Sequence, residues 1–442
     1  MSHARTAAPT TDESPRLGAL RATLDAGDRS AVDRFWRDAS ATGTPLVEEL
    51  PGAPDERLVT FLWRQDRPVE GVYALVNRVT DKHLAPRGMM RRLPDTDVWR
   101  VTLRLPVGLR CTYRIHPFGP GDPQLGPDGP RSGSSRGLPD DRSDPLNRHA
   151  AGPFGSLLEI GEPPSLADWL APAAPSPGAG RTETFDLRGG DGETYRVRQF
   201  VPGPAVPGAG DGPPALLVVL DGEQWFDRFG IVPALASAVA AGRVRPVSVV
   251  GVEAGADTAA RMRQLGANRR FVDVLADDLL PAVRARLPHP PARRDTVLCG
   301  QSLGGLTALV TALHRPDAFG TVLAHSASTW WRPGMTARPR ATPPGEDTWL
   351  YEQAVAAPLN DVRIRVDVGS NEGTMTGDLR RLHTALRSRG FDSCLHVYAG
   401  GHDHACWAAA LTAGLAEAAP PAAHPTAHPA ARSSCGHRHS GM

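Results

Sequence analysis

The fold of this chain is decided by the stretch Thr296-Val297-Leu298-Cys299-Gly300-Gln301-Ser302-Leu303-Gly304-Gly305. Its first residues are typical of a short buried strand, and residues 306–313 continue as an apolar helix. A G-x-S-x-G motif between a strand and a helix predicts a nucleophile elbow, a strained turn that exposes the serine hydroxyl. The glycines on both sides allow the strand and the helix to pass closely. We therefore predict that Ser302 is a nucleophile.

Strand-like and helix-like segments alternate around this stretch. The predicted strands span 195–201, 215–220, 247–252, 321–324, 363–368 and 395–398, and the predicted helices span 233–241, 272–287, 379–389 and 405–417. This alternation predicts a mostly parallel sheet with helices on both faces. Together with the elbow, it predicts an α/β-hydrolase catalytic domain over residues 182–417.

The residues before this region predict a different architecture. An apolar periodicity over 16–41 predicts one or two amphipathic helices, within a helical or flexible segment that spans 1–45. Strand-like runs at 58–63, 69–76, 97–103, 110–116 and 156–160 predict a β-sandwich-like accessory domain over 46–170. Regions rich in Pro, Gly, Ala or His are predicted to lack packed structure: a long loop over 119–144, a linker over 171–181 and a disordered tail over 418–442.

Length, charge and cysteine content narrow the class of protein. A chain of 442 residues is long enough for two domains, and a net charge of +1 predicts no affinity for nucleic acid or membranes. The five cysteines are odd in number and have no framework spacing, so no disulfide is predicted. No apolar run at the start resembles a secretory signal, and none is long enough to span a bilayer. We therefore expect a cytoplasmic protein.

A carboxylate should complete the predicted catalytic machinery. A serine hydroxyl needs a base to take its proton and an acid to orient that base, and in this fold the order along the chain is Ser, Asp or Glu, then His. Glu372 lies in the turn after the predicted strand 363–368, at the sheet edge where functional residues collect. We predict Glu372 as the acid, and Asp367 and Asp378 remain alternatives.

The base should come from the run Gly400-Gly401-His402-Asp403-His404. Two glycines allow a sharp turn that presents the next side chain over the strand ends, so we predict His402 as the base. His404 is predicted in the first helical turn, with Asp403 as its cap. A zinc site of His402, His404 and Cys406 is not predicted, because this spacing suits neither a helix face nor the usual zinc motifs.

Two backbone donors should stabilise the oxyanion of a tetrahedral intermediate. The N–H of Leu303 is the first. The second should come from Asp221-Gly222-Glu223-Gln224-Trp225, where Gly222 lets the backbone approach a ligand, although the sequence leaves open which residue donates. His325, at another predicted strand end, is either a pocket residue or a buried histidine.

Several separated motifs resemble the enterochelin (enterobactin) esterases, and the resemblance covers roughly residues 47–415. They include Leu220-Asp221-Gly222-Glu223-Gln224-Trp225, Arg261-Met262-Arg263-Gln264-Leu265-Gly266-Ala267-Asn268, Gly300-Gln301-Ser302-Leu303-Gly304-Gly305, Trp330-Trp331, Gly400-Gly401-His402-Asp403, Phe61-Leu62-Trp63 and Asp144-Pro145-Leu146-Asn147. The resemblance implies a cytoplasmic serine esterase that hydrolyses the trilactone backbone of a ferric catecholate siderophore, so that iron is released. It supports Ser302 and His402, and Glu372 occupies the matching acid region. It implies no cofactor, with iron present only as part of the substrate, and an accessory domain that helps to cover the active site.

A ferric tris-catecholate is large, aromatic and negatively charged, so its pocket should offer aromatic surfaces and fixed cations. The predicted substrate contacts are Trp225, Trp330 and Trp331, which can stack on catechol rings, Arg263, which can meet the negative charge, and His325. Arg196 and Arg198 are weaker candidates for the same charge. Each of these side chains also has a purely structural interpretation, as packing or as a solvated surface residue.

The chain departs from the family at several positions. The family usually carries Gln, Gly and Phe where this chain has His325, Ala327 and Thr329, Arg in place of Ala408, and Glu in place of Gln264. These departures leave the predicted triad intact but widen the choice of substrate to another catecholate or mixed siderophore ester. Two alternatives remain: an esterase D-type acyl esterase or acyltransferase, and a siderophore-binding protein without catalysis.

Overall fold

The structure, a computed structural model, describes residues 13–132, 138–139, 142–172, 180–203, 213–255, 257–335 and 347–421. The chain divides into two compact units. The N-terminal unit comprises Met1–Ser165 and Tyr398–Cys406, and the C-terminal unit comprises Leu166–Val397 and Trp407–Met442. The predicted linker and the predicted tail lie largely outside the described residues.

The N-terminal unit begins with two helices, as its apolar periodicity predicts. They are α1 (Pro15–Asp25) and α2 (Ala31–Thr42). Ser14 caps α1 because its hydroxyl accepts a hydrogen bond from the amide of Leu17 at 3.3 Å. Leu17 and Trp36 are buried against strand residues of the same unit, so the helices pack on its sheets.

Two antiparallel sheets form the rest of this unit. One sheet has the order β1-β2-β5-β4 and the other the order β3-β6-β9. Their strands are β1 (Leu46–Glu49), β2 (Glu56–Arg64), β3 (Gly71–Val76), β4 (Arg91–Arg92), β5 (Val98–Pro106), β6 (Arg110–Phe118) and β9 (Leu157–Glu159). Alternate residues of both sheets, among them Phe61, Val72, Leu103 and Tyr113, share one buried core. The β-sandwich-like prediction is confirmed.

The predicted loop 119–144 contains a small hairpin, which the prediction missed. Its strands are β7 (Leu125–Gly126) and β8 (Gly129–Pro130), and Gly129 adopts a φ of 99°. The carboxylate of Asp122 accepts hydrogen bonds from the amides of Gln124 and Leu125 at 2.8 and 2.9 Å. The turn-forming residues of this segment therefore form an ordered hairpin within the predicted loop.

An eight-stranded sheet organises the C-terminal unit, in the order β10-β11-β13-β12-β14-β15-β16-β17. Its strands are β10 (Gly180–Arg188), β11 (Thr194–Pro202), β12 (Ala215–Leu220), β13 (Val247–Val252), β14 (Thr296–Gln301), β15 (Thr321–His325), β16 (Arg363–Gly369) and β17 (Ser393–Tyr398). β10 and β11 run antiparallel, whereas β13, β12, β14, β15 and β16 pair in parallel. This is the predicted α/β-hydrolase architecture.

Helices follow most of the parallel strands. They are α3 (Ala167–Leu170), α4 (Ile231–Ala240), α5 (Thr258–Leu265), α6 (Arg269–Asp273), α7 (Leu280–Arg284), α8 (Leu303–His314), α9 (Trp349–Ala356), α10 (Thr374–Ser388) and α11 (His404–Ala418). Within the described residues, none of the helices combines the length and the apolar character that a membrane span needs.

The helix predicted over 272–287 is interrupted. A wider π-helical turn, Val274–Leu279, separates α6 from α7. Pro281 lies at the start of α7 and has no amide hydrogen, so a regular helical ladder cannot run through it. A proline inside an otherwise helical pattern is the signal for such a break.

The C-terminal unit begins at Leu166, whereas the accessory domain was predicted over 46–170 and the linker over 171–181. α3 belongs to the C-terminal unit, because Trp169 packs against Trp225 at 5.6 Å between ring centroids and donates a hydrogen bond to Thr412 at 2.9 Å. Conversely, Tyr398–Cys406 belongs to the N-terminal unit, although it is distant from that unit in sequence.

Candidate active site

Ser302 lies between β14 and α8, at the carboxyl end of a central parallel strand. Its φ of 58° and ψ of −114° are uncommon for a residue with a side chain. The turn is held by two backbone hydrogen bonds, from the Ser302 amide to His325 O at 2.9 Å and from the Leu306 amide to Ser302 O at 3.1 Å. This is the strained strand-to-helix turn that the motif predicts.

Close packing explains the glycines around Ser302. A Cβ on Gly300 would lie 2.1 Å from the carbonyl oxygen of Gly304, and a Cβ on Gly305 would lie 2.9 Å from His325 O. Neither position has room for a side chain. The prediction that glycines let the strand and the helix pass closely is therefore confirmed.

A second hydroxyl lies beside the predicted nucleophile. The Oγ atoms of Ser302 and Ser328 are 3.2 Å apart, and the amide of Ser328 donates to Ser302 O at 3.0 Å. Ser328 is fully buried and follows the carboxyl end of β15, the strand beside β14. Sequence reasoning missed Ser328; its signal is its position just after a strand that neighbours the elbow strand.

Glu372 is held rigidly in the turn that follows β16. The residue is 4% exposed, and its Oε1 accepts hydrogen bonds from Ser326 Oγ at 2.5 Å and from the amide of Gly369 at 3.0 Å. Trp407 Nε1 in turn donates to Ser326 Oγ at 2.8 Å. Ser326, also missed by sequence reasoning, therefore connects α11 to the carboxylate.

The two alternative acids have other partners. Asp367, inside β16, uses both carboxylate oxygens to bind the guanidinium of Arg365, at 2.9 and 3.0 Å. Asp378 lies on α10, where it accepts hydrogen bonds from Thr329 at 2.8 Å and Arg381 at 3.0 Å. Partial burial raises the pKa of Asp378 above its ordinary value, against the hydrogen bond from Thr329.

His402 lies in the turn between β17 and α11 and is half-buried. Its carbonyl oxygen accepts a hydrogen bond from Asn77 Nδ2 at 3.1 Å. Asp403 caps α11 as predicted, because its Oδ1 accepts a hydrogen bond from the amide of Ala405 at 3.0 Å, and His404 is the first helical residue. The roles of Ser302, Glu372 and His402 as nucleophile, acid and base remain predictions.

The predicted oxyanion donors occupy suitable backbone positions. Leu303 is the first residue of α8, so its N–H has no carbonyl within the helix to bind. Gly222 lies in the turn after β12, where a Cβ would come within 2.6 Å of the backbone of Gly251 on β13. The lack of a side chain at Gly222 is thus required by β13, whatever else the loop binds.

Trp225 does not offer the aromatic surface that we predicted. It is 1% exposed, its Nε1 donates to Gln301 Oε1 at 3.0 Å, and its ring packs on Trp169 and Phe229. This position is corrected from a substrate contact to a core residue, because no face of the indole is open.

His325 is also corrected from a pocket residue to a core residue. It is fully buried at the end of β15, between Cys299 and Asp367. Burial lowers its pKa to about 4, against the attraction of Asp367, because an imidazolium would lose its hydration. The ring is therefore neutral at ordinary pH.

The remaining predicted substrate contacts differ in exposure. Trp331 is 7% exposed and packs edge-on against Trp349 at 5.3 Å, and Trp330 is half-buried against the same core. Arg263 is exposed on α5. Its neighbour Arg261, which sequence reasoning did not single out, forms a two-bond ion pair with Asp221, at 2.5 and 2.7 Å.

One group of described residues has donors close enough to hold a metal ion. The ligand atoms of Cys394, His396 and Glu417 lie within 4.8 Å of one another. Glu417 already pairs with the guanidinium of Arg365, so a cation there would compete with a fixed positive charge. His402, His404 and Cys406 do not form such a group among the described residues.

Comparison with known proteins matches both units. Residues 195–418 match the family model described as putative esterase, and residues 58–169 match the N-terminal domain of enterochelin esterase. The chain is 36% identical over 408 residues to the iron(III) salmochelin esterase of Escherichia coli O6:H1, covering 90% of this chain and 96% of that protein. It is 30% identical over 433 residues to the iron(III) enterobactin esterase of Dickeya dadantii, covering 89% and 94%.

Solved structures give the same result. The enterobactin esterase from Shigella flexneri, crystallised in the presence of enterobactin, is 27% identical and superposes with a TM-score of 0.69, over 87% of this chain and 97% of that chain. The ferric enterobactin esterase from Salmonella typhimurium is 28% identical, with a TM-score of 0.71, over 87% and 98%.

Proposed function

Because this chain belongs to the enterochelin esterase family, we propose that it hydrolyses the ester bonds of a ferric catecholate siderophore. The chain is a carboxylic ester hydrolase of the α/β-hydrolase fold. The single observation that carries the proposal is the elbow at Ser302, with its positive φ, in a chain that matches salmochelin and enterobactin esterases along both units. A trilactone with three catecholate arms is the substrate class that follows.

The proposed reaction is acyl transfer to Ser302 followed by hydrolysis. Ser302 Oγ attacks the ester carbonyl carbon while His402 accepts the hydroxyl proton. The N–H of Leu303 and a second donor from the Gly222 loop stabilise the oxyanion. When the tetrahedral intermediate collapses, the ester C–O bond breaks and His402 donates the proton to the leaving alcohol. Water then cleaves the acyl-enzyme by the same steps, which releases the acid and frees Ser302.

Glu372 is the proposed acid that orients His402. Its support is the way the carboxylate is fixed, because Oε1 is held by Ser326 and by the amide of Gly369. A carboxylate held this way keeps one orientation at little entropic cost during turnover. Asp367 fits the role less well, because Arg365 engages both of its oxygens.

The proposed reaction needs no cofactor and no resident metal, since iron enters only with the substrate. The proposed location is the cytoplasm. Its support is the cysteine content of the sequence, which is odd in number and has no framework spacing.

Product analysis tests the proposal. We expect purified protein, incubated with iron-loaded and iron-free enterobactin, to yield linear trimer, dimer and monomer on chromatography. Ser302→Ala should lower the rate by roughly 10³-fold or more, because the covalent step is lost. Cleavage that persists in this variant would contradict the nucleophile. Binding without turnover would favour a carrier, and turnover of simple esters alone would favour a general acyl esterase.

Substitution of the carboxylates tests the proposed acid. Glu372→Gln should lower kcat by roughly 10²-fold or more, because the amide cannot stabilise an imidazolium in the same way. Asp378→Asn is the matched control and should leave kcat within about twofold. A larger loss in Asp378→Asn than in Glu372→Gln would reassign the acid.

A further inference from the structure

The turn that carries His402 is held by strand β6 of the N-terminal unit. Gly400 forms a parallel bridge with Arg110, and the amide of Arg110 donates to Ala399 O at 3.1 Å. At the other end of the turn, Cys406 Sγ donates to Arg110 O at 3.4 Å. Ala399 and Cys406, at the two ends of the turn, are therefore both bound to Arg110 of β6 within the N-terminal unit.

Asp403, the residue after His402, makes the strongest of these contacts. Its Oδ2 accepts two hydrogen bonds from Thr112, from the amide at 2.7 Å and from Oγ1 at 2.8 Å. Its Oδ1 caps α11 through Ala405, and the residue is only 2% exposed. Hydrogen bonds to a charged, buried acceptor are stronger and shorter than neutral ones. One carboxylate thus joins Thr112 of β6 to Ala405, within the N-terminal unit.

A second element, the turn after β3, holds Gly401 and the backbone of His402. Asn77 Nδ2 donates to His402 O, and the amide of Asn77 donates to Thr112 O at 3.0 Å. Gly401 packs so closely on this turn that a Cβ would lie 2.3 Å from Arg78 Cγ. Arg78 itself adopts a φ of 57°. Positions 401, 402 and 403 are therefore each fixed by a different contact.

We propose that Asn77 and Thr112 are positioning residues for the imidazole of His402. This inference rests on the proposed function, in which His402 is the base. Because the backbone is fixed on both sides of His402, only two side-chain torsions of this residue can vary. The N-terminal unit therefore determines the position of the imidazole nitrogens. A displacement of about 1 Å at a catalytic group can cost about 10²-fold in rate.

Thr112 allows a matched test of this role. Thr112→Val removes the Oγ1 hydrogen bond and keeps the shape and the backbone donor, whereas Thr112→Ser keeps the hydroxyl. Thr60→Val is the control, because Thr60 Oγ1 bonds to Thr102 Oγ1 of the same sheet, at 2.9 Å. All variants are compared at a temperature at which circular dichroism shows them to be folded.

We expect Thr112→Val to lower kcat for ferric enterobactin by about tenfold, with a smaller change in KM, because the base rather than the substrate is displaced. The rate at which a fluorophosphonate labels Ser302 should fall in parallel, since that reaction also needs the base. Thr112→Ser should have a kcat within about twofold of wild type, and Thr60→Val should have the wild-type kcat. Neither result should depend on a change in melting temperature.

Three results would distinguish a failure of the positioning role from a failure of the proposed function. If Thr112→Val loses no more kcat and labelling than Thr60→Val, Thr112 has no positioning role. If Thr112→Val does not fold, Asn77→Ala is measured instead. Asn77 is half-buried, and its side-chain amide donates to the carbonyl oxygen of His402. An unchanged kcat in Asn77→Ala would overturn the inference. If the wild type and Ser302→Ala are equally active, the proposed function fails instead.

Discussion

His325 shows how a side chain at a strand end can be part of the core. It lies at the carboxyl end of β15, where pocket residues are expected, yet it is fully buried and Asp367 and Arg365 are the charged groups that act on it. Desolvation outweighs the attraction of Asp367, so the folded protein keeps this imidazole neutral.

This burial predicts a pH-dependent loss of stability. The pKa of His325 is about 4 in the folded protein, against an ordinary 6.5, so the unfolded chain binds a proton that the folded protein excludes between these values. The free energy of unfolding should therefore fall as pH decreases through this window, by up to about 3 kcal/mol from this residue.

His325→Gln tests the prediction, because glutamine fills a similar volume and does not titrate. Urea denaturation at pH values from about 7 to 4 should show a shallower decline in stability for this variant than for wild type. His83→Gln is the control, since His83 is exposed, and it should keep the wild-type decline. Parallel curves for wild type and His325→Gln would contradict the assignment.

Single side chains also determine how the candidate carboxylates are held. Glu372 and Ser326 are 46 positions apart in the chain, and their hydrogen bond depends on β15 and β16 being neighbours. Sequence reasoning preferred Glu372 because of its place after a strand. It had no means of finding Ser326, Ser328 or the pairing of Asp367 with Arg365.

At the scale of elements, the β14–α8 turn depends on glycine for steric reasons. Gly300→Ala should lower the free energy of unfolding by about 2 kcal/mol or more, because the new methyl group would meet the backbone of Gly304. Thermal or urea denaturation measures this loss.

Gly377→Ala is the matched control for Gly300→Ala. Gly377 is exposed on α10, and a Cβ there meets nothing within 4 Å. Alanine also has the better helix propensity, so stability should stay unchanged or rise by up to about 1 kcal/mol. Equal losses in both variants would show that the tight approach at the elbow does not limit stability.

Elements that the sequence analysis missed or misjudged each have a physical cause. β10 was missed because it is an outer antiparallel strand whose residues are mostly exposed or half-buried, so it lacks the apolar run of a central strand. α5 and α9 are only eight residues long, and a helix of that length shows its periodicity over barely two turns. The helix predicted as continuous over 272–287 is interrupted, because the effect of Pro281 was overlooked.

At the scale of the whole molecule, burial should suppress thiol chemistry. All four described cysteines are buried, and burial raises the pKa of both the Cys111 and the Cys299 thiols. Cys435 lies outside the described residues, so the measurement uses Cys435→Ser.

We expect this variant to react slowly with an aromatic disulfide reagent while it is folded and rapidly after unfolding in guanidinium chloride, which exposes the buried cysteines. Absorbance of the released thiolate follows both reactions. A thiol that reacts at once in the folded protein would contradict the burial of that residue. Retention of esterase activity during the reaction shows that the protein has stayed folded.

The sequence by itself determined the fold class, the elbow at Ser302 and the family. These follow from local patterns: strand and helix periodicity, glycine spacing and short motifs, each readable within a few residues. The tertiary structure decided which side chains are core residues, as at Trp225 and His325, and which contacts hold Glu372 and the turn at His402. Such contacts join residues far apart in the chain, such as Thr112 and Asp403. They depend on strand order, register and loop packing, which no local pattern encodes.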